Sequence, residues 1–293
     1  MGNISRRTAI KTILATGFTT IIPTGFASNI LNDGDIRCGK LKGNIRHSVS
    51  KWCFGEYDLA EFCRICKRIG IESIELLKPE EWDIVLSQGL TVAMAEGAGL
   101  GIDRGFNQIE LHDELVRSYE QVIPKVSAAG LHNLICFSGK RSGATDLQGW
   151  ENCEKGLKRI IPIAEKHNVI ITMELLNSME HKDYLCDHTV WGVELCRRIG
   201  SPNFRLLYDI YHMQVMEGNI INNIRKYHPY FSHIHTGGSP GRGEIDESQE
   251  LYYPAIMKTL IEVGYKGFVG QEFVPMQKDK IASLEKCIKI CDI

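Results

Sequence analysis

The chain has 293 residues, 43% of them hydrophobic and 24% charged, the composition of a globular protein with a large core rather than a disordered or fibrous one. Lys+Arg 34 against Asp+Glu 36 leaves a net charge of -2, and no basic block stands out, so no nucleic-acid footprint is expected. Length alone leaves open one large α/β barrel or two ordinary domains.

Residues 1–30 stand apart. Ser5-Arg6-Arg7-Thr8-Ala9-Ile10-Lys11 precedes an apolar run over 13–22, then Pro23 and small residues at 25–27. Paired arginines, a mildly hydrophobic stretch and a small-residue cleavage point resemble a twin-arginine export signal, although Ala9 stands where an aromatic residue is usual. The expected address is therefore periplasmic. The run is too short and interrupted to leave a membrane span once the signal is removed. Residues 31–44 read as a polar linker, with Cys38 lacking the approach a lipid anchor needs. Ten cysteines invite a disulfide framework, but Cys63 and Cys66, and Cys287 and Cys291, fall at helical spacing. Cys53 and Cys136 fall on expected strands, so core thiols are predicted rather than bridges.

From residue 45 the chain alternates. Strands are expected over 45–54, 71–77, 90–95, 133–137, 169–175, 204–211, 231–236 and 268–274, from β-branched and aromatic runs. Helices are expected over 57–69, 79–87, 109–129, 149–167, 189–199, 220–227, 252–263 and 281–291, with Gly130, Gly200 and Gly264 as stop signals. The first helix puts Leu59, Phe62, Cys63, Cys66 and Ile69 on one face. Pro124 should kink or break the third. Eight successive strand–helix units imply a parallel sheet, and at this length a closed (β/α)8 TIM barrel, a single domain over 45–293. An open doubly wound sheet would want a Gly-rich phosphate turn after the first strand, and Lys51-Trp52-Cys53-Phe54-Gly55 offers none.

In such a barrel the chemistry sits at the C-terminal ends of the strands. Four expected strands end in an ionisable group: Glu174, Asp209, His235 and Glu272. A buried charge without a partner is expensive, and neighbouring strands are only ~4.8 Å apart. Four such ends can therefore surround one ion. Three carboxylates and an imidazole suit Mn²⁺, Mg²⁺ or Co²⁺ better than structural zinc, with Zn²⁺ left open. His233 shares a face with His235 and reads as a core histidine. Glu96-Gly97 and Asp103-Arg104-Gly105 should line the mouth.

Four stretches, MELLNSME (173–180), RRIGSPNFRLLYDIYHMQVMEGNI (197–220), HIHTGGSPGRGEID (233–246) and GYKGFVGQEFVP (264–275), resemble the xylose-isomerase-like barrel superfamily. Within it the chain is similar to hydroxypyruvate isomerase-like and ketose 3-epimerase-like proteins. The resemblance implies that Glu174, Asp209, His235 and Glu272 bind one divalent cation. It implies that Glu174 and Glu272 also move protons through an enediolate on a sugar or hydroxy-keto acid. It further implies that His212 and Glu180 hold substrate, and that the chain can form a homo-oligomer. Arg242, on the loop after the expected seventh strand, is placed to clamp a substrate carboxylate or hydroxyl pair, with a plain surface charge as the alternative. Many hydroxypyruvate isomerases carry Gln where this chain has His235, as the epimerases do not. The exact substrate is thereby left open, and the expected export sets lyase, hydrolase or epimerase chemistry on 3-keto-glycosides, which uses the same proton abstraction next to a carbonyl, beside isomerisation. A non-catalytic sugar-binding barrel and a phosphodiester-cleaving member with a histidine-rich, multi-zinc site are the remaining alternatives.

Overall fold

The computed structural model describes residues 40–293, so the expected signal over 1–30, Cys38 and the linker as far as residue 39 lie outside the described residues. Seven strands form one parallel sheet: β1 (Arg46–Ser50), β2 (Ser73–Glu75), β3 (Asn133–Cys136), β4 (Ile170–Glu174), β5 (Phe204–Asp209), β6 (Phe231–Thr236) and β7 (Phe268–Gln271). Their order across the sheet is β2-β1-β7-β6-β5-β4-β3. Nine helices connect them among the described residues: α1 (Leu59–Ile69), α2 (Trp82–Ser87), α3 (His112–Ala128), α4 (Asp146–Lys166), α5 (Thr189–Ile199), α6 (Ile210–Met216), α7 (Ile220–Tyr227), α8 (Tyr253–Glu262) and α9 (Lys280–Cys291). The architecture is a curled, TIM-barrel-like α/β fold.

The expected strand over 90–95 is not a regular strand. It makes single bridges instead, Thr91 to Ser73 and Ala95 to both Leu77 and Leu134, so the two edges of the sheet meet on this segment. Side chains take the place of the ladder at its centre. Ala93 N–H donates to Ser73 Oγ at 2.8 Å, and its carbonyl accepts from Asn133 Nδ2 at 2.9 Å. A residue whose backbone groups are met by side chains has no need of a straight partner strand, which is why apolar content alone misread it.

Local capping explains most other boundaries. Asp58 caps α1 by accepting from Ala60 N and Glu61 N, and Gly70 closes it at φ 96°. The apolar face is the expected one, with Leu59, Phe62, Cys63, Cys66 and Ile69 all buried. Helix α4 begins at Asp146, ahead of the expected 149, because Thr145 and Gln148 form a reciprocal capping box. Helix α3 neither breaks nor ends at Pro124. The ring removes one ladder bond, while buried Val122, Ile123 and Val126 keep the helix seated. The expected first strand stops at Ser50 and turns into a 3-10 helix over Lys51–Phe54, so Cys53 lies on that turn. The nine described cysteines are all buried and unpaired. No helix among the described residues is long and apolar enough to cross a membrane.

Replacing Ser73 with Ala should leave the buried Ala93 N–H without its acceptor. A loss of roughly 1–3 kcal/mol in unfolding free energy is expected, read as a lowered urea midpoint. A loss below about 0.5 kcal/mol would show that the segment does not depend on this bond.

Candidate metal centre

Four side chains at one end of the sheet come together. One ligand atom each from Glu174, Asp209, His235 and Glu272 can be chosen so that all lie within 4.8 Å of one another, and all four residues are buried. Strand register does this. Asp209 on β5 pairs with His235 on β6, and His235 with Gly270 on β7, two residues before Glu272. Glu174 closes β4 opposite Leu207. Asp209 is also the N-cap of α6, its Oδ1 accepting from His212 N at 3.1 Å. The expected strand over 204–211 therefore ends at 209, and His212 sits in the first turn of a helix.

The imidazole of His235 is the telling group. Its Nε2 lies 2.8 Å from Glu75 Oε1. Its Nδ1 lies 2.7 Å from Glu272 Oε2, 3.5 Å from Glu174 Oε1 and 3.9 Å from Asp209 Oδ2, yet makes a well-directed hydrogen bond to none of them. A fully buried ring nitrogen aimed at the middle of three carboxylates has the geometry of a ligand atom. One nitrogen and three carboxylates form a mainly hard donor set, which fits a divalent cation.

The charges are partly balanced by Arg242. Its Nη2 donates to Asp209 Oδ2 at 3.1 Å and to Glu272 Oε2 at 2.5 Å. The guanidinium lies 5.4 Å from the Trp52 ring centre and 5.6 Å from that of Tyr211, and its residue has φ 56° on the loop after β6. Trp52 Nε1 donates to Glu272 Oε1 at 2.7 Å. Burial opposes ionisation of Glu272, but His235 and then Arg242 hold its carboxyl well below the usual range. Burial instead wins at Glu174, pushing it up to about 7 against the nearby His235 imidazole. Asp209 is pushed up by burial to about 6, with Arg242 opposing. Glu174 and Glu272, both beside His235 Nδ1, thus have unlike proton affinities.

His212 and Glu180 form a second layer beside the cluster. Asn177 Oδ1 accepts from Glu180 N at 2.7 Å, which turns its amide nitrogen toward His212 Nδ1 at 2.7 Å and Glu180 Oε2 at 3.0 Å. Nδ1 of His212 is then an acceptor, and its ring proton belongs on Nε2. That nitrogen is buried, has no hydrogen-bond partner and lies 3.8 Å from Asp209 Oδ2. The Tyr211 hydroxyl donates to Glu180 Oε1. Although exposed, Glu180 is held from two sides.

A cavity of ≈ 720 Å³ opens over the cluster. Glu174, Glu272 and Arg242 lie on one side, and Leu76, Ile135 and Phe137 supply apolar wall. Of the expected mouth residues, Glu96, Asp103 and Arg104 line it, while Gly97 and Gly105 do not. Sequence reasoning missed Trp52, Asn177, Glu75 and His181, whose ring lines the cavity 5.3 Å from that of His212. Glu75 ends β2, but that strand is Ser73-Ile74-Glu75 and not an apolar run broken by an acid. It was hidden because β2 was expected to continue to residue 77.

The model of the xylose isomerase-like TIM barrel family matches residues 54–289, and the chain belongs to that family. It is 32% identical over 122 residues to a protein named putative hydroxypyruvate isomerase of Homo sapiens, an alignment covering 41% of this chain and 44% of that one. The chain thus spans less than half of that relative's length. It is 24% identical over 233 residues to the hydroxypyruvate isomerase of Escherichia coli (strain K12), covering 76% and 90% of the two. Among solved structures, AP endonuclease, family 2 from Brucella melitensis superposes with a TM-score of 0.74 at 24% identity, over 82% of this chain and 97% of that one. That likeness speaks for the fold.

The wild-type chain is expected to retain one divalent cation after loading with Mn²⁺ and dialysis. Glu174→Gln and Asp209→Asn should each weaken retention by more than about 10-fold, the scale on which even outer partners of ligands matter. Elemental analysis reading the same metal content in both variants would sink the site.

Proposed function

We propose, from that family membership, that the chain is a divalent-metal-dependent isomerase or epimerase of a sugar or hydroxy-keto acid. The observation that carries this reading is the Nδ1 atom of His235, buried and undirected among three carboxylates. Glu174, Asp209, His235 and Glu272 would hold the cation. When bound, it supplies Lewis-acid polarisation of a carbonyl and an adjacent hydroxyl oxygen.

The remaining work falls to side chains. Glu174 and Glu272 flank the position where such a substrate would sit, on β4 and just past β7. One removes a proton from the carbon next to the carbonyl, and the other returns it at the same or the neighbouring carbon. His212, with its Nε2 proton free, is suited to donate to a substrate oxygen. Glu180 is suited to accept from a substrate hydroxyl. Arg242 is 3.1 Å from Asp209 and 2.5 Å from Glu272, so its first task is to balance and orient the carboxylates. Any contact to substrate would come from its remaining N–H groups.

The size and apolar wall of the cavity favour a second reading of the substrate. At ≈ 720 Å³ it lies well inside the range of about 300–1,000 Å³ that holds drug-sized ligands. A three-carbon acid would leave most of it filled with water. A ketose or a 3-keto-glycoside, whose ring presents C–H faces, would use Leu76, Ile135 and Phe137.

Incubation in D₂O with hydroxypyruvate, ketohexoses and 3-keto-glycosides should place deuterium on the carbon next to the carbonyl of the preferred compound. Glu174→Gln and Glu272→Gln should each slow this by about 100- to 10,000-fold. Failure of all three compound classes to exchange with metal-loaded protein would leave the isomerase reading without support.

A further inference from the structure

Below the four candidate ligands lies another buried cluster. Glu75, at the end of β2, is fully enclosed. Its Oε1 lies 3.0 Å from Nε2 of His233 and 2.8 Å from Nε2 of His235. His233 and His235 are also fully buried, with ring centres 5.0 Å apart at 87°. An isolated carboxylate here would be prohibitively costly, so a group that the fold keeps at this depth has to be matched by donors. The two imidazole N–H groups are those donors, and Ser50 Oγ lies 3.5 Å away.

The backbone makes room for it. A Cβ built on Gly270 would sit 2.1 Å from Glu75 Oε1 and 3.0 Å from Cδ2 of His235. Glycine inside a strand weakens it and marks a close approach by another group. Here the approaching group is the Glu75 carboxylate itself. Gly270 is also the direct register partner of His235, so carboxylate, ring and missing side chain occupy one level of the barrel.

We propose that Glu75 is a positioning residue for the metal centre, a role that rests on the metal reading above. By accepting the Nε2 proton of His235 it fixes which ring nitrogen is protonated. The Nδ1 lone pair is thereby turned toward Glu174, Asp209 and Glu272. It also holds the plane of the ring, because His233 anchors the same oxygen from below. A carboxylate accepting the distal N–H of a metal-bound histidine raises the basicity of the ligating nitrogen. Gly270, with no side chain, is the residue that lets the acid reach that distance. Glu75, His233 and His235 could by spacing hold an ion themselves, but His235 cannot give Nδ1 to one metal and Nε2 to another while keeping the Nε2 proton that Glu75 accepts.

The test is metal affinity together with a direct view of the ring proton. Mn²⁺ titration by calorimetry should show Glu75→Ala weakened by about 10- to 100-fold, with Glu75→Gln, whose amide oxygen still accepts, retaining most of the affinity. In ¹⁵N-edited NMR of Zn²⁺-loaded protein, the His235 Nε2 proton should be visible and strongly downfield in the wild type. It should move upfield in Glu75→Gln, where the acceptor loses its charge. Folded Glu75→Ala binding Mn²⁺ within twofold of the wild type would overturn the proposal. So would an unmoved Nε2 proton in Glu75→Gln, a measurement that stands even where the alanine variant fails to fold. Absence of Mn²⁺ binding by the wild type would overturn the metal reading, and this role with it. Wild-type binding with no loss in the folded alanine variant removes only the role of Glu75.

Discussion

Much of this structure depends on placing several carboxylates next to one buried imidazole without losing the fold. Glu174, Asp209 and Glu272 approach His235 from one side and Glu75 from the other. Like charges at such separations repel strongly where water is excluded. The fold answers with His235 itself, with Arg242 bridging Asp209 and Glu272, and with the Trp52 N–H on the other Glu272 oxygen. Each of these partners comes from a different part of the chain: the turn after β1, the strand β6 and the loop after it. Residues that look unrelated in sequence are thus bound together by one electrostatic requirement.

That requirement also explains the division of labour around the barrel. The four candidate ligands come from β4 to β7, while the half around β2, β3 and the bridging segment supplies apolar wall together with Glu96, Asp103 and Arg104 at the mouth. Met94, Ile135 and Leu207 form a small apolar cluster inside the sheet, with Leu76 and Phe137 packed on it. Three of these, Leu76, Ile135 and Phe137, face the cavity. A substrate would therefore meet the candidate ligands at one end and a mainly apolar surface along its flank, with charged groups again at the mouth, and this sets its orientation.

How far the sequence reveals this follows the same physics. Strands β4 to β7 were legible because each joins an apolar or aromatic run to an acid or imidazole at or near its end, and the four site candidates were read directly from that break. The segment over 90–95 was not, since Ser73 and Asn133 satisfy Ala93 from outside, and side-chain acceptors leave no mark in the hydrophobic pattern. Helix α6 was missed because Asp209 serves at once as strand end and helix cap, and only the first use was considered. Asn177 illustrates a different limit. Its two-way amide links His212 to Glu180 through contacts 35 and 3 residues apart, and a lone asparagine in a loop carries no local sign of such pairing.

The buried cysteines have a consequence for how the molecule meets oxidants. Burial pushes the thiols of Cys196, Cys287 and Cys291 up to about 12, so in the folded chain they are silent both as nucleophiles and as redox groups. Opening the barrel would return all nine described thiols to ordinary reactivity together. In oxidising surroundings each unfolding excursion then risks becoming a one-way step, as mispaired disulfides trap the open chain. Persistence of this protein outside a reducing compartment would be governed by how rarely it opens, and thiol labelling would serve as a clock for that opening.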